Sequence, residues 1–342
     1  MILKVIQAGI GDWGKDWTQN VLWGMRGLEV TGYVDSNSQI IKSAREDLKL
    51  PAERCFVSIE EAFKKVDCDA VVITASLPGH VPLARAALKA YKHVLVEKPF
   101  APTIKEAREL VELAARKKKI LMVSQNYRFS PLMRWLQKVV KIKKFGRLCS
   151  VAIDFRKYSN QYPKKGHKHY YIDHPLLMNM AIHQFDLLRM VTGTNPKRVF
   201  CMGINPQWSN FQDPPAAFAT AEFPNSVTVS YRGSWMSHGP DTQWAGEWSI
   251  EFETAHIRLL RRDDEQGETD SAVIYTNGSR DGKQVKIPKV NFPLARKGAL
   301  KAFMNAVERK KMPETSGKDN IGTLQFMKAM VKSAETGKVV TV

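Results

Sequence analysis

The sequence predicts an α/β protein in which a doubly wound, parallel sheet is followed by an α+β domain with a mostly antiparallel sheet. Three observations support this prediction. Over about the first 120 residues, short apolar runs alternate with helical segments, which is the rhythm of a parallel sheet. A glycine-rich turn follows the first apolar run. Beyond residue 125, strand-like segments succeed one another with few helices between them, as in antiparallel sheets.

The N-terminal elements follow from hydrophobic periodicity and from the residues that flank each segment. Apolar, β-branched runs predict strands at 4–8, 30–34, 70–74, 93–96 and 120–123. Helical periodicity predicts helices at 17–25, 39–48, 59–65, 81–90 and 104–116, with Thr103 as the N-cap of the last of these. The run at 70–74 lacks polar alternation, which is expected of a strand that is covered on both faces.

The C-terminal elements follow a different pattern. A helix at 175–192 separates a strand at 151–155 from strands at 198–202, 217–223, 227–234, 247–253 and 257–260, and helices at 300–308 and 321–336 complete the chain. Because 342 residues exceed one ordinary core, we expect two domains. We predict a dinucleotide-binding domain over 1–124 and a substrate-binding and oligomerisation domain over 125–342, with the last helix packing back on the first domain.

The composition excludes several classes of protein. A hydrophobic content of 44% is that of a globular protein and not of a disordered one. No apolar run reaches the roughly 18–20 residues of a membrane helix and no secretory signal is visible, so we expect a cytoplasmic protein. The four cysteines form no CxxC pair and have no histidine at metal-ligand spacing, so free thiols and no metal site are predicted.

The net charge of +18 raises the question of an acidic partner. The lysine clusters at 116–119 and 141–144 are short and are not interleaved with aromatic residues. This pattern favours solvated helix faces over nucleic-acid binding. An acidic partner or an anionic substrate is the alternative.

The turn after the first predicted strand is a cofactor motif. Gly9, Gly11 and Gly14 form GxGxxG between a predicted strand and a helical segment. The first glycine permits a tight turn, the second lets the backbone approach a pyrophosphate, and the third lets helix and strand pack closely. Asp35 ends the next strand about 20 residues later, where an acid binds the adenosine ribose hydroxyls. Its charge would repel a 2′-phosphate, so NAD is expected, although two polar residues after Asp35 leave NADP open.

A candidate catalytic lysine follows the strand at 93–96, in the sequence Glu97-Lys98-Pro99. In an open parallel sheet, ligands gather at the carboxyl ends of the strands, so Lys98 is expected at the edge where chemistry occurs. A lysine near the positively charged nicotinamide ring should have a lowered pKa, which suits proton transfer. The alternative is a surface lysine that precedes a turn.

A candidate catalytic histidine lies on the predicted helix at 175–192. Asn179 and His183 are four positions apart, so they are expected to share a helix face. Histidine is suited to general acid–base chemistry near neutral pH. Because apolar neighbours can pack this helix into the core, a hydrogen-bonded core histidine is the alternative.

Taken together, these motifs resemble the glucose–fructose oxidoreductase, inositol dehydrogenase and rhizopine-catabolism (Gfo/Idh/MocA) family over nearly the whole chain. The resemblance rests on the glycine motif, the run 70–74 leading to His80, Glu97-Lys98-Pro99, Asn126-Tyr127-Arg128-Phe129, His183-x-x-Asp186 and Gly233-Ser234-Trp235. It implies a Rossmann domain and a C-terminal domain with a large open sheet. It also implies hydride transfer between a nicotinamide and a secondary alcohol or ketone of a sugar, inositol or sugar acid, with Lys98 and His183 as the acid–base pair.

We expect the following site residues. The catalytic candidates are Lys98, His183 and Asn179. Cofactor contacts are expected from Gly9, Gly11, Asp12, Trp13, Gly14, Asp35, Thr74, Ala75, Leu77, His80, Glu97, Lys98 and Asn126. Substrate contacts are expected from Lys98, Arg128, Arg156, Tyr158, Tyr171, Asp173, Asn179, His183 and Trp235. The sequence departs from the family pattern in two places: Asn179 replaces a common aspartate and cannot charge-stabilise an imidazolium, and 75–77 reads Ala-Ser-Leu where Thr-Pro-Asn is common.

Other functions are left open by the sequence. An NAD-dependent glycosidase or epimerase that acts by transient oxidation is one alternative, and a non-catalytic NAD-binding regulator is another. The expected partners are a small sugar or polyol and further copies of the chain, as a homodimer or homotetramer through the C-terminal sheet, but neither nucleic acid nor membrane. A basic segment, Lys164, Lys165, His167, Lys168 and His169, is either a solvated loop or a rim that attracts an anionic sugar.

Overall fold

The computed structural model describes residues 2–161, 167–261, 271–276, 278–287 and 291–342. The chain divides into two compact units. The first unit comprises Met1–Asn126 and Arg296–Ile321, and the second comprises Tyr127–Ala295 and Gly322–Val342. Each unit is built around its own sheet. Within the described residues, no helix is both long enough and apolar enough to cross a lipid bilayer.

The sheet of the first unit is parallel throughout its six described strands. Its strands are β1 (Leu3–Ala8), β2 (Leu28–Val34), β3 (Cys55–Phe56), β4 (Ala70–Ile73), β5 (His93–Val96) and β6 (Leu121–Val123). Their order is β3-β2-β1-β4-β5-β6. The order reverses between β1 and β4, and ligands bind at such a switch point, beyond the carboxyl ends of the strands.

The helices of this sheet confirm most of the predicted elements. They are α1 (Asp12–Trp17), continued by a π-helical turn Thr18–Leu22, then α2 (Ser38–Leu48), α3 (Ile59–Lys65), α4 (Leu77–Lys89) and α5 (Ile104–Arg116). The predicted N-cap is confirmed, because the Thr103 hydroxyl accepts a hydrogen bond from the Glu106 N–H at 3.2 Å.

Two predicted helix starts were wrong. The first helix begins at Asp12 and not at residue 17, because in this motif the helix starts within the glycine turn, with Gly11 as its N-cap. Helix α4 begins at Leu77 and not at residue 81, with a proline in its first turn. Proline is tolerated there because the first helical N–H groups have no intrahelical partner. In both cases glycine or proline conceals a helix start from a search for periodicity.

The second unit contains a nine-stranded sheet of the predicted, mostly antiparallel kind. Its strands are β7 (Leu148–Arg156), β8 (Arg198–Ile204), β9 (Ala216–Glu222), β10 (Thr228–Ser234), β11 (Glu247–Phe252), β12 (Ala255–Arg261), β13 (Ser271–Thr276), β14 (Lys283–Lys286) and β15 (Val340–Thr341). The order is β14-β13-β12-β11-β7-β10-β9-β8-β15. Strands β7 and β10 pair in parallel, and the other described pairs are antiparallel.

Two helices of the second unit are α6 (Pro131–Lys141) and α7 (Ile182–Thr192), and a π-helical segment, Pro175–Ala181, runs directly into α7. This segment and α7 pack on the inner face of the sheet. Phe185 lies 5.6 Å from the Tyr231 ring of β10, and a side chain at Gly233 would meet Leu176. The remaining helices are α8 (Ala295–Arg309) and α9 (Gly317–Thr336).

The sequence missed helix α6 and strands β3, β13, β14 and β15. Helix α6 starts with a proline, and the Ser130 hydroxyl caps it. Strands β3 and β15 are only two residues long, and β14 reads Lys-Gln-Val-Lys with exposed lysines. None of these three strands therefore gives an apolar pattern that could be recognised in the sequence. These strands are defined by their pairing partners and not by their own composition.

Candidate functional site

The glycine loop after β1 is shaped by two close backbone approaches. Gly9 has φ of +92°, and a Cβ there would lie 2.2 Å from the Ala75 backbone nitrogen. A Cβ on Gly14 would lie 2.1 Å from the Gly9 carbonyl oxygen. At Gly11, in contrast, a Cβ would meet nothing within 4 Å. The loop is therefore packed tightly against the β4 turn at Gly9 and against its own backbone at Gly14, while the backbone at Gly11 faces open space that a ligand can enter.

Buried side chains hold the glycine loop from below. Gln7 Nε2 donates to the Gly14 carbonyl at 2.8 Å and to Thr74 Oγ1 at 3.1 Å, and Thr74 Oγ1 donates to the Gly9 carbonyl at 2.6 Å. Thr18 Oγ1 lies 2.7 Å from Gln7 Oε1. Thr74 was predicted to contact the cofactor, but the hydrogen bonds of its hydroxyl described here are to Gln7 and to the backbone of the glycine loop. Gln7 and Thr18 were not among the predicted site residues. A glutamine within a buried strand could have indicated that its side chain binds a nearby backbone group.

Asp35 lies at the end of β2, where the motif requires an acid. Its Oδ2 accepts the Ile10 N–H at 3.0 Å, and its Oδ1 accepts the Asn37 N–H at 3.0 Å. Each carboxylate oxygen has a second lone pair, so both can still accept a hydrogen bond from a ribose hydroxyl. Asp35 therefore joins the ribose end of the expected site to the glycine loop.

The exposed side of the glycine loop carries Asp12 and Trp13, both predicted cofactor contacts. The Trp13 indole is half exposed, and the Arg296 guanidinium lies 4.5 Å from the centre of its ring. Arg296 also forms an ion pair with Asp16 on the same helix. Arg296 was not among the predicted site residues, because no local pattern connects it with Asp16, which is 280 residues away along the chain.

The turn after β4 joins the turn after β5 through His80. This histidine is buried, with Nδ1 2.8 Å from the Pro99 carbonyl oxygen and Nε2 2.9 Å from the Ala75 carbonyl oxygen. Burial lowers the pKa of His80, and the two carbonyl oxygens oppose that shift. Leu77 begins α4 beside Ala75 and is partly exposed. His80, predicted as a cofactor contact, is thus a bridge between two loops at the same sheet edge.

Glu97, Lys98 and Pro99 form a short loop after β5, which we call the lysine loop. The buried Glu97 carboxylate accepts the Trp17 indole N–H at 3.0 Å and the Lys98 backbone N–H at 3.1 Å. Burial lowers the pKa of the Lys98 amine, and the neighbouring Glu97 carboxylate opposes that change. The predicted lowering therefore has a cause within this unit, before any cofactor charge is considered.

This sheet edge fits a dinucleotide. The glycine loop, the 74–80 turn and the lysine loop follow β1, β4 and β5, which are adjacent strands. The open backbone at Gly11 and the first turn of α1 suit a pyrophosphate, and Asp35 suits a ribose. Asn126 opens a short 3₁₀ segment, Asn126–Phe129, three residues after β6 ends.

In the second unit, His183 lies on the first turn of α7. It is buried, and its ring stacks on Tyr127, with ring centroids 4.4 Å apart and planes 24° apart. Asn179 lies in the π-helical segment that precedes α7 and is partly exposed. π-Helical turns inside α-helices frequently occur at functional sites. The two predicted residues are therefore on one continuous helix, although its first half is not α-helical.

Arg128 is held by a buried ion pair. Its Nε and Nη2 atoms donate to the two Asp186 carboxylate oxygens at 2.6 and 2.7 Å, and Thr323 Oγ1 donates to Asp186 Oδ1 at 2.7 Å. Arg128 and Asp186 are almost fully buried. This arrangement braces α7 three residues after His183. Substrate contact by Arg128 stays a prediction, and the contacts that the structure describes are those of a support.

The other predicted substrate residues lie in different surroundings. Trp235 is buried against Phe155 and His169, with ring centroids 5.0 Å apart in each pair. Burial lowers the pKa of His169 to about 4, so it adds no positive charge near pH 7. The Tyr158 ring lies 4.5 Å from His238. Tyr171 and Asp173 are exposed.

Arg156 is separated from this group. It alternates with Phe155 along β7, and it pairs with Asp154 and Glu247 on the opposite, outer face of the sheet. Arg156 therefore lies on the face of the sheet opposite to Phe155, and its contact with substrate stays a prediction. Of the basic segment, Lys164 and Lys165 lie outside the described residues.

Comparisons with known proteins agree on the class of both units. The family model described as an oxidoreductase family with an NAD-binding Rossmann fold matches residues 3–125, and the model of the GFO/IDH/MocA C-terminal domain matches residues 133–257. A 1,5-anhydro-D-fructose reductase from Ensifer adhaerens is 24% identical over 286 residues, which cover 82% of each chain.

Two solved structures share the fold over almost their whole length. An oxidoreductase from Agrobacterium radiobacter in complex with NAD+, L-tartaric acid and magnesium is 17% identical, with a TM-score of 0.84 and coverage of 100% of this chain and 98% of its own. The WlbA dehydrogenase from Bordetella pertussis in complex with NADH and UDP-GlcNAcA is 17% identical, with a TM-score of 0.80 and coverage of 100% and 99%. At these identities the likeness shows a common fold.

Proposed function

Because the chain belongs to the Gfo/Idh/MocA oxidoreductase family, we propose that it is a dehydrogenase that moves a hydride between NAD and a secondary alcohol or ketone of a sugar, inositol or sugar acid. Its first unit is an NAD-binding Rossmann domain, as the glycine motif predicted. The observation that carries the proposal is the sheet edge at which the glycine loop follows β1 and the lysine loop follows β5, with only β4 between the two strands. This arrangement supports the proposal because the cofactor site and the proposed proton-transfer group would then share one edge of the sheet.

The residues of the first unit have distinct roles in this proposal. When bound, NAD supplies the hydride acceptor at nicotinamide C4. The backbone at Gly11 and the first turn of α1 hold the pyrophosphate, and Asp35 accepts hydrogen bonds from the ribose. The carboxylate of Asp35 also places a negative charge where NADP would carry its 2′-phosphate, which favours NAD.

Proton transfer is assigned to Lys98 and His183. In alcohol oxidation, Lys98 Nζ or the His183 imidazole would accept the hydroxyl proton, and bound NAD would supply the acceptor for the hydride of the same carbon, so that the alcohol becomes a ketone. The lowered pKa of Lys98 makes its neutral, proton-accepting form available closer to neutral pH. Stacking on Tyr127 fixes the plane of the His183 ring.

The second unit is proposed to bind the substrate. Asn179 offers an amide that can donate to or accept from a sugar hydroxyl. The aromatic group around Trp235 supplies apolar ring surface, which suits the C–H faces of a sugar. Substrate binding and oligomerisation are the two roles that the sequence predicts for this part of the chain.

The outer face of the nine-stranded sheet is proposed to bind a second copy of the chain. Phe200, Met202 and Phe218 are 39%, 52% and 45% exposed, and Met202 lies directly opposite Phe218 in the register of β8 and β9. They border a cavity of about 600 Å³ that is also lined by Asp154 and Arg232. Apolar side chains and charges of both signs suit a self-complementary contact. Light scattering should show a dimer or larger, and Phe218→Asp should shift it toward the monomer.

The test of the activity is a substrate screen that follows NADH absorbance. The names of the similar proteins suggest three groups of compounds beside simple sugars and inositols: anhydro-ketoses, nucleotide-linked uronates and hydroxy acids such as tartrate. The proposal expects net formation or consumption of NADH with at least one of them. Conversion of a sugar without net change in NADH would instead support an epimerase or glycosidase. NAD binding without conversion of any compound would favour a regulator.

A further inference from the structure

Trp17 connects the cofactor helix with the lysine loop. It lies in α1, three residues after Gly14, and is fully buried. Its indole N–H donates to Glu97 Oε1 at 3.0 Å, although 80 residues separate the two. The other carboxylate oxygen, Oε2, accepts the backbone N–H of Lys98 at 3.1 Å. One buried carboxylate therefore joins the helix that begins in the glycine motif to the backbone of Lys98.

Trp17 is itself held in place from two sides. The Arg296 guanidinium lies 5.8 Å from its ring centre and forms an ion pair with Asp16, the residue before it. The hydroxyl of Thr18, the residue after Trp17, donates a hydrogen bond to the Gly14 carbonyl oxygen at 2.9 Å. The indole N–H is thus aimed at Glu97 by a rigid part of the molecule.

Packing alone does not account for the acid at position 97. Burying a carboxylate is costly, and a neutral glutamine would satisfy the indole N–H equally well. Only a carboxylate adds a negative charge beside the Lys98 amine. The pair of Trp17 and Glu97 is therefore better explained by its effect on Lys98 than by its contribution to the core.

We propose that Trp17 is a positioning residue for Lys98, acting through the Glu97 carboxylate that it fixes. This inference rests on the proposed role of Lys98 in proton transfer. The carboxylate orients the backbone at Lys98 and keeps a negative charge at a constant place near the amine. The helix that begins in the cofactor motif thereby also sets the surroundings of the proton-transfer group.

The electrostatics give the direction of the effect. Burial lowers the pKa of Lys98, and the Glu97 charge partly offsets this. Without the indole N–H, the carboxylate loses a donor that stabilises and orients its charged form, so its influence on Lys98 weakens. The pKa of Lys98 should then fall further. His80 is a second titratable group that interacts with Lys98, and its contacts do not involve Trp17.

The test is the titration of Lys98 itself, followed by competitive acetylation with acetic anhydride across a pH series and peptide mass spectrometry. Trp17→Phe keeps an aromatic ring and removes the N–H. Trp23→Phe is the matched control, because it removes an indole N–H that donates to Tyr33, away from the lysine loop. Trp17→Phe should lower the labelling midpoint of Lys98 by about one pH unit, Glu97→Gln by at least as much, and Trp23→Phe should not move it.

Kinetics provide a second readout. In Trp17→Phe, kcat should fall about tenfold because Lys98 loses its fixed orientation, while KM for NAD stays within about twofold, since the glycine loop is untouched. A Lys98 midpoint in Trp17→Phe equal to that of Trp23→Phe would overturn the inference. Should Trp17→Phe fail to fold, Glu97→Gln, which keeps an acceptor for the indole, decides: an unshifted midpoint overturns the inference. The proposed function fails separately, through full activity of Lys98→Met.

Discussion

The cofactor edge of the first unit and helix α7 of the second unit hold their candidate residues in different ways. At the cofactor edge, side chains of Gln7, Thr74 and His80 bind backbone carbonyl oxygens of the loops, so the loop geometry is fixed by main-chain contacts. On α7, His183 is fixed by ring stacking and by the ion pair that follows it. The first arrangement consists of side chains that bind the main chain of the loops, whereas the second consists of contacts between the side chains of different elements.

The largest effect is expected at Lys98 and His183, the two residues proposed to transfer protons. Lys98→Met and His183→Ala should each lower kcat by about 10²–10⁴-fold, the usual contribution of a general acid or base. NAD affinity, measured by calorimetry, should change less in His183→Ala than in Lys98→Met, because His183 belongs to the second unit. His256→Ala, on β12 and paired with Glu251, is the control and should keep wild-type turnover. Near wild-type kcat in both variants would refute the assignment.

The next effect tests the side-chain support of α7. Arg128→Met leaves the Asp186 carboxylate buried without its partner and should lower the free energy of unfolding by about 3–5 kcal/mol. Arg85→Met removes a half-exposed partner of Glu109 and should cost no more than about 1 kcal/mol. Denaturant titration of both variants gives the comparison. Equal losses would mean that the buried pair does not brace the helix.

The main-chain support of the cofactor edge is tested at Gly9. Gly9→Ala places a Cβ against the Ala75 backbone, and we expect NAD binding to weaken by about 10²-fold, as for a displacement of about 1 Å. Gly24→Ala is the control, since Gly24 also has a positive φ but has open space around it. It should cost about 1–2 kcal/mol of stability and leave the NAD dissociation constant unchanged. Similar affinities in the two variants would contradict the close packing of the loop.

The smallest effect concerns the choice between NAD and NADP. Asp35→Asn keeps an oxygen that can accept the Ile10 N–H but removes the charge that opposes a 2′-phosphate. Relative kcat/KM for NADP should rise about tenfold, equivalent to about 1.4 kcal/mol. Asp47→Asn, which removes a nearby exposed charge that pairs with Lys15, should have little influence. A wild-type preference for NADP would refute the role of Asp35.

The fold could be predicted well where a helix or strand has a clear pattern within a few consecutive residues. The helices at 59–65 and 104–116 and the strand at 93–96 have the predicted bounds, because hydrophobic periodicity and caps such as Thr103 are local signals. Strands β14 and β15 were missed because β14 is polar and β15 is two residues long, so both form structure only against a neighbouring strand, whereas helix α6 and strand β13 have apolar residues and were overlooked. The helix predicted at 175–192 has the observed bounds, but the π-helical form of Pro175–Ala181 was not foreseen, because an i,i+5 pattern of backbone bonding has no signature in the sequence.

For the candidate site, the glycine loop, Asp35, Lys98 and the helix that carries His183 could be predicted from the sequence. These depend on backbone freedom, strand ends and motif spacing, which act over a few residues. The pairing of Trp17 with Glu97, of Arg128 with Asp186 and of Arg296 with Asp16 could not be predicted, because these partners are 80, 58 and 280 residues apart in the chain and meet only in the folded structure. Such contacts follow from how helices and sheets pack, because a side chain finds its partner by position in space and not by distance along the chain.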